Sequence, residues 1–173
     1  QTLARAAKLK TIPTGIEHGT ITVISEGTPY EITTFRQDIE TDGRRATIQY
    51  ADSLKSDATR RDFTMNALYA DANGKIYDPL NGLADLKAGR LRFIENAERR
   101  ITEDYLRILR FFRFSAWYAN PNLGFDPDAL AAIAAKGEGL LGLSKERITK
   151  ELLKLLAAPS PAPAVAAMRI TGV

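Results

Sequence analysis

The sequence predicts an α+β fold in which a small strand-rich module precedes an all-helical one. Three observations carry the prediction. β-Branched and aromatic runs with hairpin turn signals between them fill the first half of the chain. After Ile94 the pattern changes to helix caps and apolar residues at helical spacing. Residues 101–118 form a long run without Pro or Gly. The shift near residue 95 divides the chain into a mixed module, residues 1–95, with a small mixed or antiparallel sheet, and a helical module, residues 96–173.

The totals narrow the chemistry. A chain of 173 residues with 45% hydrophobic content can bury one good core or two small ones. Net charge is +3 and the pI is near 9.2, which permits an anionic partner without requiring one. Cysteine is absent and His18 is the single histidine, so disulfides, thiolate zinc sites, histidine metal clusters and a Ser-His-Asp triad are excluded or disfavoured. Any metal must be held by carboxylates, which points to Mg²⁺ or a similar hard ion. No apolar run reaches membrane-spanning length and no signal pattern occurs, so a cytoplasmic protein without a membrane partner is expected.

Taken in order, Gln1–Lys10 reads as the end of a helix and Thr11–Gly19 as a loop with His18 in it. Thr20–Ser25 and Pro29–Arg36 read as strands of a hairpin turning at Glu26-Gly-Thr28. Glu31 stands mid-strand, either solvent-facing or held for chemistry. Gln37–Arg45 reads as a polar loop and Ala46–Tyr50 as a strand. Within Asp57–Tyr69, Asp62 and Asn66 lie four apart on one expected helix face, with Arg61 adjacent. Asn73-Gly74 marks the tip of a second hairpin, and Arg90–Ile94 reads as a last strand. Asp126-Pro127 and Ser144 cap the next helices, Pro159–Pro163 interrupts the chain, and Ala164–Ile170 ends it as a short helix.

The run Ile101–Tyr118 reads as one helix. At about 100° per residue, Ile101, Tyr105, Ile108, Leu109, Phe112 and Ala116 form one apolar stripe. Asp104, Arg107, Arg110 and Arg113 recur every third residue on a slowly winding row, among Leu106, Phe111, Phe114 and Trp117. Guanidinium groups so placed need anions. Glu103 and Asp104 can pair locally with Arg107, but Arg110 and Arg113 have no local acid. From the residues alone, intrahelical pairing and a polyphosphate or nucleic-acid site both stand open.

Four ordered stretches, Tyr30-Glu-Ile-Thr-Thr-Phe-Arg36, Arg60-Arg-Asp-Phe-Thr-Met-Asn-Ala67, Asp78-Pro-Leu-Asn-Gly-Leu-Ala-Asp-Leu86 and Glu103-Asp-Tyr-Leu-Arg-Ile-Leu-Arg-Phe-Phe-Arg-Phe114, resemble the bacterial class II tRNA nucleotidyltransferase and poly(A) polymerase family. The resemblance implies a partial, polymerase-β-like nucleotidyltransferase head followed by a helical neck that reads the incoming nucleotide. It implies CCA addition to tRNA 3′ ends from CTP and ATP with release of pyrophosphate. Poly(A) synthesis within the same family and a non-catalytic nucleotide- or RNA-binding module are the alternatives.

Residue by residue, the resemblance assigns Arg61, Arg110 and Arg113 to the triphosphate, and Asp104 with Arg107 to the edge of the base, with Glu103 among the nucleotide-binding set. Asp62 and Asn66 fall near the ribose, residues 37–45 correspond to a flexible loop, and Glu31 becomes the catalytic carboxylate. Mg²⁺ is the implied cofactor of the complete enzyme. The family's Gly-Gly and Arg-Asp motif and its Asp-x-Asp metal-binding pair lie before the equivalent of Gln1, outside these 173 residues, so this stretch alone is expected to be inactive. Most of the tRNA-gripping body and tail is expected beyond Val173.

Overall fold

The computed structural model describes residues 2–15, 19–41, 46–51 and 53–173, and the side chains of these residues except 37–41 and 46–49. The readings made for His18 and for residues 42–45 therefore lie outside the described residues. α1 (Thr2–Ala6) leads to a three-stranded antiparallel sheet, β1 (Lys10–Gly15), β2 (Thr20–Ser25) and β3 (Thr28–Thr33), in the order β1-β2-β3. β2 and β3 are joined through Glu26 and Gly27, with φ of 50° and 79°, the left-handed pair that a two-residue hairpin turn requires. β1 occupies most of a stretch expected to be loop. Pro13 does not prevent this, because β1 is an edge strand whose unpaired side needs no donor.

A second antiparallel pair, β4 (Arg36–Thr41) and β5 (Ala46–Tyr50), corrects the polar loop expected from residue 37. Its ladder is made by backbone groups, so polar side chains do not forbid it. α2 (Leu54–Thr59) follows, its N-cap Ser53 accepting the Ser56 N–H at 3.1 Å.

The helix expected across Asp57–Tyr69 stops at Arg60. Beyond it, Ile94 N–H donates to the Asp62 carbonyl at 3.0 Å and Thr64 N–H to the Arg92 carbonyl at 3.2 Å. Phe63 and Phe93 thereby form an isolated bridge, which is all that remains of the strand expected at Arg90–Ile94. Thr64–Asn66 is a 3₁₀ turn. Tertiary pairing and the burial of Phe63 win over local helical spacing here. The short hairpin of β6 (Tyr69–Ala70) and β7 (Ile76–Tyr77) carries Asn73-Gly74 at its tip, as expected, and leads to α3 (Gly82–Ala88).

The remaining elements are helical, with α4 (Ala97–Glu103) and α5 (Leu106–Tyr118) occupying the run expected as one helix. Asp104 breaks that run, with φ −156° and ψ 105°. Its Oδ1 accepts the Leu106 N–H at 3.1 Å, so it opens α5 by the side-chain capping that makes aspartate a poor interior helix residue. Tyr105, next in the chain, packs against Gly139, where a Cβ would come within 2.1 Å of the ring. α6 (Pro127–Lys136) is capped by Asp126 and α7 (Lys145–Leu156) by Ser144, and α8 (Ala162–Thr171) closes the chain.

One core joins the two halves. Phe63, Met65, Leu91 and Phe93 pack with Ile101, Ile108, Phe111, Phe112, Ile133, Leu155 and Met168. Phe93 stacks on Phe111 with ring centres 5.7 Å apart, and Phe63 lies 5.0 Å from Phe93. Aromatic pairs of this kind add about 1 kcal/mol each to the burial of their area. α5 is therefore fixed against residues 60–66, the relation on which the site depends. Among the described residues no helix is long and apolar enough to cross a membrane.

Candidate functional site

Arg61, Arg107 and Arg110 bond to groups of residues 57–62 where α2 ends, Arg113 faces Glu151 of α7, and each is oriented by a carboxylate. Arg61 is held by buried Asp57 through Nη2 at 3.1 Å and Nε at 3.4 Å, and its Nε also reaches Tyr69 Oη at 3.1 Å. Arg110 donates from Nε to Asp62 Oδ2 at 2.6 Å. The other oxygen of Asp62 accepts Asn66 Nδ2 at 3.1 Å and the Phe63 N–H at 3.1 Å. Asp62 and Asn66 thus meet as expected, but through the turn and not along a helix face.

Arg113 lies 2.6 Å from Glu151 Oε2 in a pair that is mostly buried, with its N–H directed off the line of a hydrogen bond. The Arg110 and Arg113 guanidinium carbons stand 5.3 and 4.6 Å from the centre of the Phe114 ring, an arrangement that favours cations. Arg110 and Arg113 have no local acid, as expected, yet neither is unopposed. Their partners, Asp62 and Glu151, are distant in sequence, and intrahelical spacing cannot reveal them.

Arg107 is 12% exposed at its side chain and fully engaged on one nitrogen. Nη1 donates to Glu103 Oε2 at 2.7 Å and to the Arg100 carbonyl at 2.8 Å, while Nη2 donates to the Arg60 carbonyl at 2.8 Å. Glu103 also takes Arg100 Nη2 at 2.6 Å and Arg99 Nε at 3.3 Å. Burial lowers the pKa of Arg100, although Glu103 opposes that shift.

Asp104 points outward and meets Arg147 of α7, whose Nη2 lies 3.1 and 2.9 Å from the two carboxylate oxygens. With Asp104 32% and Arg147 44% exposed, that pair contributes at most about 1 kcal/mol. A carboxylate has room for about four donors. Arg147 and the Leu106 N–H leave Asp104 able to accept one more.

Glu31 lies on β3, which is exposed throughout, opposite Thr22 of β2. Its side chain has no ion-pair or hydrogen-bond partner among the described residues and makes no contact with the arginine cluster there. Among the described residues no group of three or more His, Cys, Asp or Glu side chains is arranged to hold a metal ion.

Asp57, Arg147 and Glu151 were not among the residues singled out from the sequence. Asp57 had a signal, since Arg60 and Arg61 follow it at the i, i+3 and i, i+4 positions of α2. Arg147 and Glu151 share one face of α7, but nothing local says that the face meets α4 and α5.

Burial alone would raise the Asp57 pKa. Hydrogen bonds from Tyr69 and Arg60, the charge of Arg60 and the Arg36 N–H together outweigh burial and hold it down to about 2, against an ordinary value of 3.8. Burial, then the hydrogen bond to Asp57, pushes Tyr69 up to about 12. A carboxyl depressed on folding stabilises the fold fully above its unfolded pKa, and the contribution is lost as pH falls through the folded one. Acidification from about pH 4 to pH 2 is therefore expected to remove about 2 kcal/mol through Asp57. Urea unfolding of the protein and of Asp57→Asn across that range measures it. Equal acid sensitivity in both would refute the assignment.

With 39% sequence identity and a TM-score of 0.82, the structure matches the Bacillus stearothermophilus CCA-adding enzyme in complex with CTP over 94% of this chain and 39% of that one. Human CCA tRNA nucleotidyltransferase 1, mitochondrial, is 45% identical over 142 residues, 82% of this chain and 33% of the relative. The CCA-adding enzyme of Streptococcus pyogenes serotype M1 is 45% identical over 163 residues, 92% of this chain and 39% of the relative.

Residues 1–92 match the Poly A polymerase head domain, and residues 122–173 match the probable RNA and SrmB-binding site of polymerase A. The chain belongs to the poly(A) polymerase and CCA-adding nucleotidyltransferase family. It spans between a third and two fifths of the length of these relatives. Asp104, Arg107, Arg110 and Arg113 lie in residues 93–121, between the two matched regions.

Proposed function

We propose that this chain is the nucleotide-reading part of a template-independent RNA nucleotidyltransferase that adds CCA to tRNA 3′ ends from CTP and ATP, with release of pyrophosphate. The observation that carries the reading is the set of Arg61, Arg110 and Arg113. Each is steered by a carboxylate on one edge, and each keeps Nη1 without a protein acceptor among the described residues. Guanidinium edges so directed suit the oxygens of a triphosphate. Asp104, acceptor-only, and Arg107, donor-only, match the Watson–Crick edge of cytosine or adenine, which offers a donor amine beside an acceptor nitrogen. Asp62 and Asn66 hold the turn beside the ribose, and Glu103 fixes Arg107.

In this reading residues 1–95 serve as head and residues 96–173 as neck, in a cytoplasmic enzyme. Glu31 is its candidate catalytic carboxylate. Mg²⁺ is the family's expected cofactor, with its ligands to be sought outside the groups described above.

The test is nucleotide incorporation by the complete nucleotidyltransferase that carries these 173 residues, with Mg²⁺ and a tRNA transcript ending before CCA, supplied with CTP, ATP or both. Two C residues followed by one A are expected. A long A tail with CTP ignored would make the protein a poly(A) polymerase. Binding of CTP without incorporation would make it a non-catalytic nucleotide-binding module.

A further inference from the structure

We infer that Asp57 is the positioning residue that sets the Arg61 guanidinium for phosphate and ties it to the base-reading arginine. The inference rests on the reading of Arg61 as a triphosphate ligand. Asp57 is buried at the end of α2, yet its two oxygens serve donors from three separate parts of the chain. Oδ1 accepts the Arg36 backbone N–H at 3.2 Å, where β4 begins, and Arg60 Nε and Nη2 at 3.0 and 2.7 Å. Oδ2 accepts Tyr69 Oη at 2.7 Å and Arg61 Nη2 at 3.1 Å.

Tyr69 closes a triangle, because its Oη also accepts from Arg61 Nε at 3.1 Å, while the guanidinium carbon stands 5.0 Å from the centre of its ring. Nε and Nη2 of Arg61 are thereby taken and its plane is fixed over an aromatic face. Nη1 is left for a ligand on a side chain that is 36% exposed. The same carboxylate pins Arg60, whose carbonyl accepts Arg107 Nη2 at 2.8 Å. One buried charge thus orients a proposed phosphate contact directly and a proposed base contact through one backbone group. Its bond to Arg36 adds the root of the β4–β5 hairpin to the same unit.

The sign of the effect separates positioning from simple electrostatics. Removing a negative charge near a triphosphate site should strengthen anion binding by Coulomb attraction alone. Removing a residue that aims Arg61 should weaken it. Affinity of the protein for CTP and for CMP is to be measured by equilibrium dialysis, with thermal unfolding as the check on folding, for the unaltered chain, Asp57→Asn and Tyr69→Phe.

Asp57→Asn is expected to weaken CTP binding about tenfold and CMP binding less than twofold, since losing one charge-assisted contact to Arg61 acts on the phosphates that CMP lacks. Tyr69→Phe keeps every charge, and about a threefold loss for CTP alone is expected. It decides the matter by the same criterion should Asp57→Asn not fold. Unchanged or tighter CTP binding would overturn the positioning role, as would equal losses for CTP and CMP. Failure of the unaltered protein to bind CTP would instead overturn the nucleotide-reading function itself.

Discussion

Arg107→Ala is expected to lower the unfolding free energy by about 3 kcal/mol and to cost most of the preference for CTP over UTP. The first effect follows from burial. Arg107 donates to Glu103 and to the carbonyls of Arg100 and Arg60, so truncation leaves two carbonyls without their donor and loosens the joint between the end of α2 and the break before α5. Breaking a buried, hydrogen-bonded ion pair from one side typically costs about 3–5 kcal/mol. Glu103 keeps Arg99 and Arg100 nearby, which places the estimate at the lower end.

The second effect follows from the edge of the base. A guanidinium opposite cytosine meets an acceptor at N3, whereas uracil presents an N–H there, and one such contact discriminates by about 1–3 kcal/mol. Arg107→Lys separates the two effects. It retains the charge but cannot place donors on three acceptors in one plane, so part of the stability should return without the selection. Urea denaturation, and competitive incorporation of CTP and UTP by the complete enzyme carrying the variant, measure them. An unchanged nucleotide ratio in Arg107→Ala would remove Arg107 from base reading.

The elements legible from sequence are those whose cause is local. Glu26-Gly27 and Asn73-Gly74 supply the φ values their turns require, and Ser53, Asp126 and Ser144 bond to N–H groups three residues on. The break at Asp104 was hidden because apolar spacing runs through it. It is fixed by a side-chain cap on Leu106 and by Tyr105 seated on Gly139, and the second of these comes from elsewhere in the chain.

The identities of the site arginines were readable, but their settings were not. Asp62 reaches Arg110 across 48 residues and Arg147 reaches Asp104 across 43. A rule that pairs neighbours along the chain sees Asp57 with Arg61 and Glu103 with Arg107, but no acid for Arg110 or Arg113. The consequence for chemistry is direct. Arginines that looked unopposed are each restrained on one edge, which leaves them directional and not merely positive.

Gly82→Ala is expected to cost about 3 kcal/mol and to weaken CTP binding with it. Gly82 opens α3, and a Cβ built there would lie 1.9 Å from the Thr64 carbonyl oxygen and 2.6 Å from its carbon. Neither side can yield cheaply. The Gly82 N–H donates to Asp78 Oδ1 at 2.7 Å and the Leu83 N–H to Oδ2 at 2.9 Å, which ties the start of α3 to the strand end before it. Thr64 is tied in turn, its Oγ1 donating to Asp85 Oδ2 at 2.6 Å and its N–H to the Arg92 carbonyl at 3.2 Å.

Relief therefore requires moving backbone by more than an ångström through the buried Thr64–Asp85–Arg92 contacts, at the upper end of the usual cost of overpacking, about 1–3 kcal/mol. The moved segment is the Thr64–Asn66 turn, which holds Asp62 through Asn66, so Arg110 loses its alignment as well. Gly74→Ala is the internal contrast. Nothing lies within 4 Å of a Cβ there and only the positive φ of 78° is opposed, which costs about 1 kcal/mol. A lower denaturant midpoint with unchanged slope, several times larger for Gly82→Ala than for Gly74→Ala, is the expected result. Equal shifts would mean that α3 and the turn slide past each other freely, and the alignment of Asp62 with Arg110 would then have to come from α5 alone.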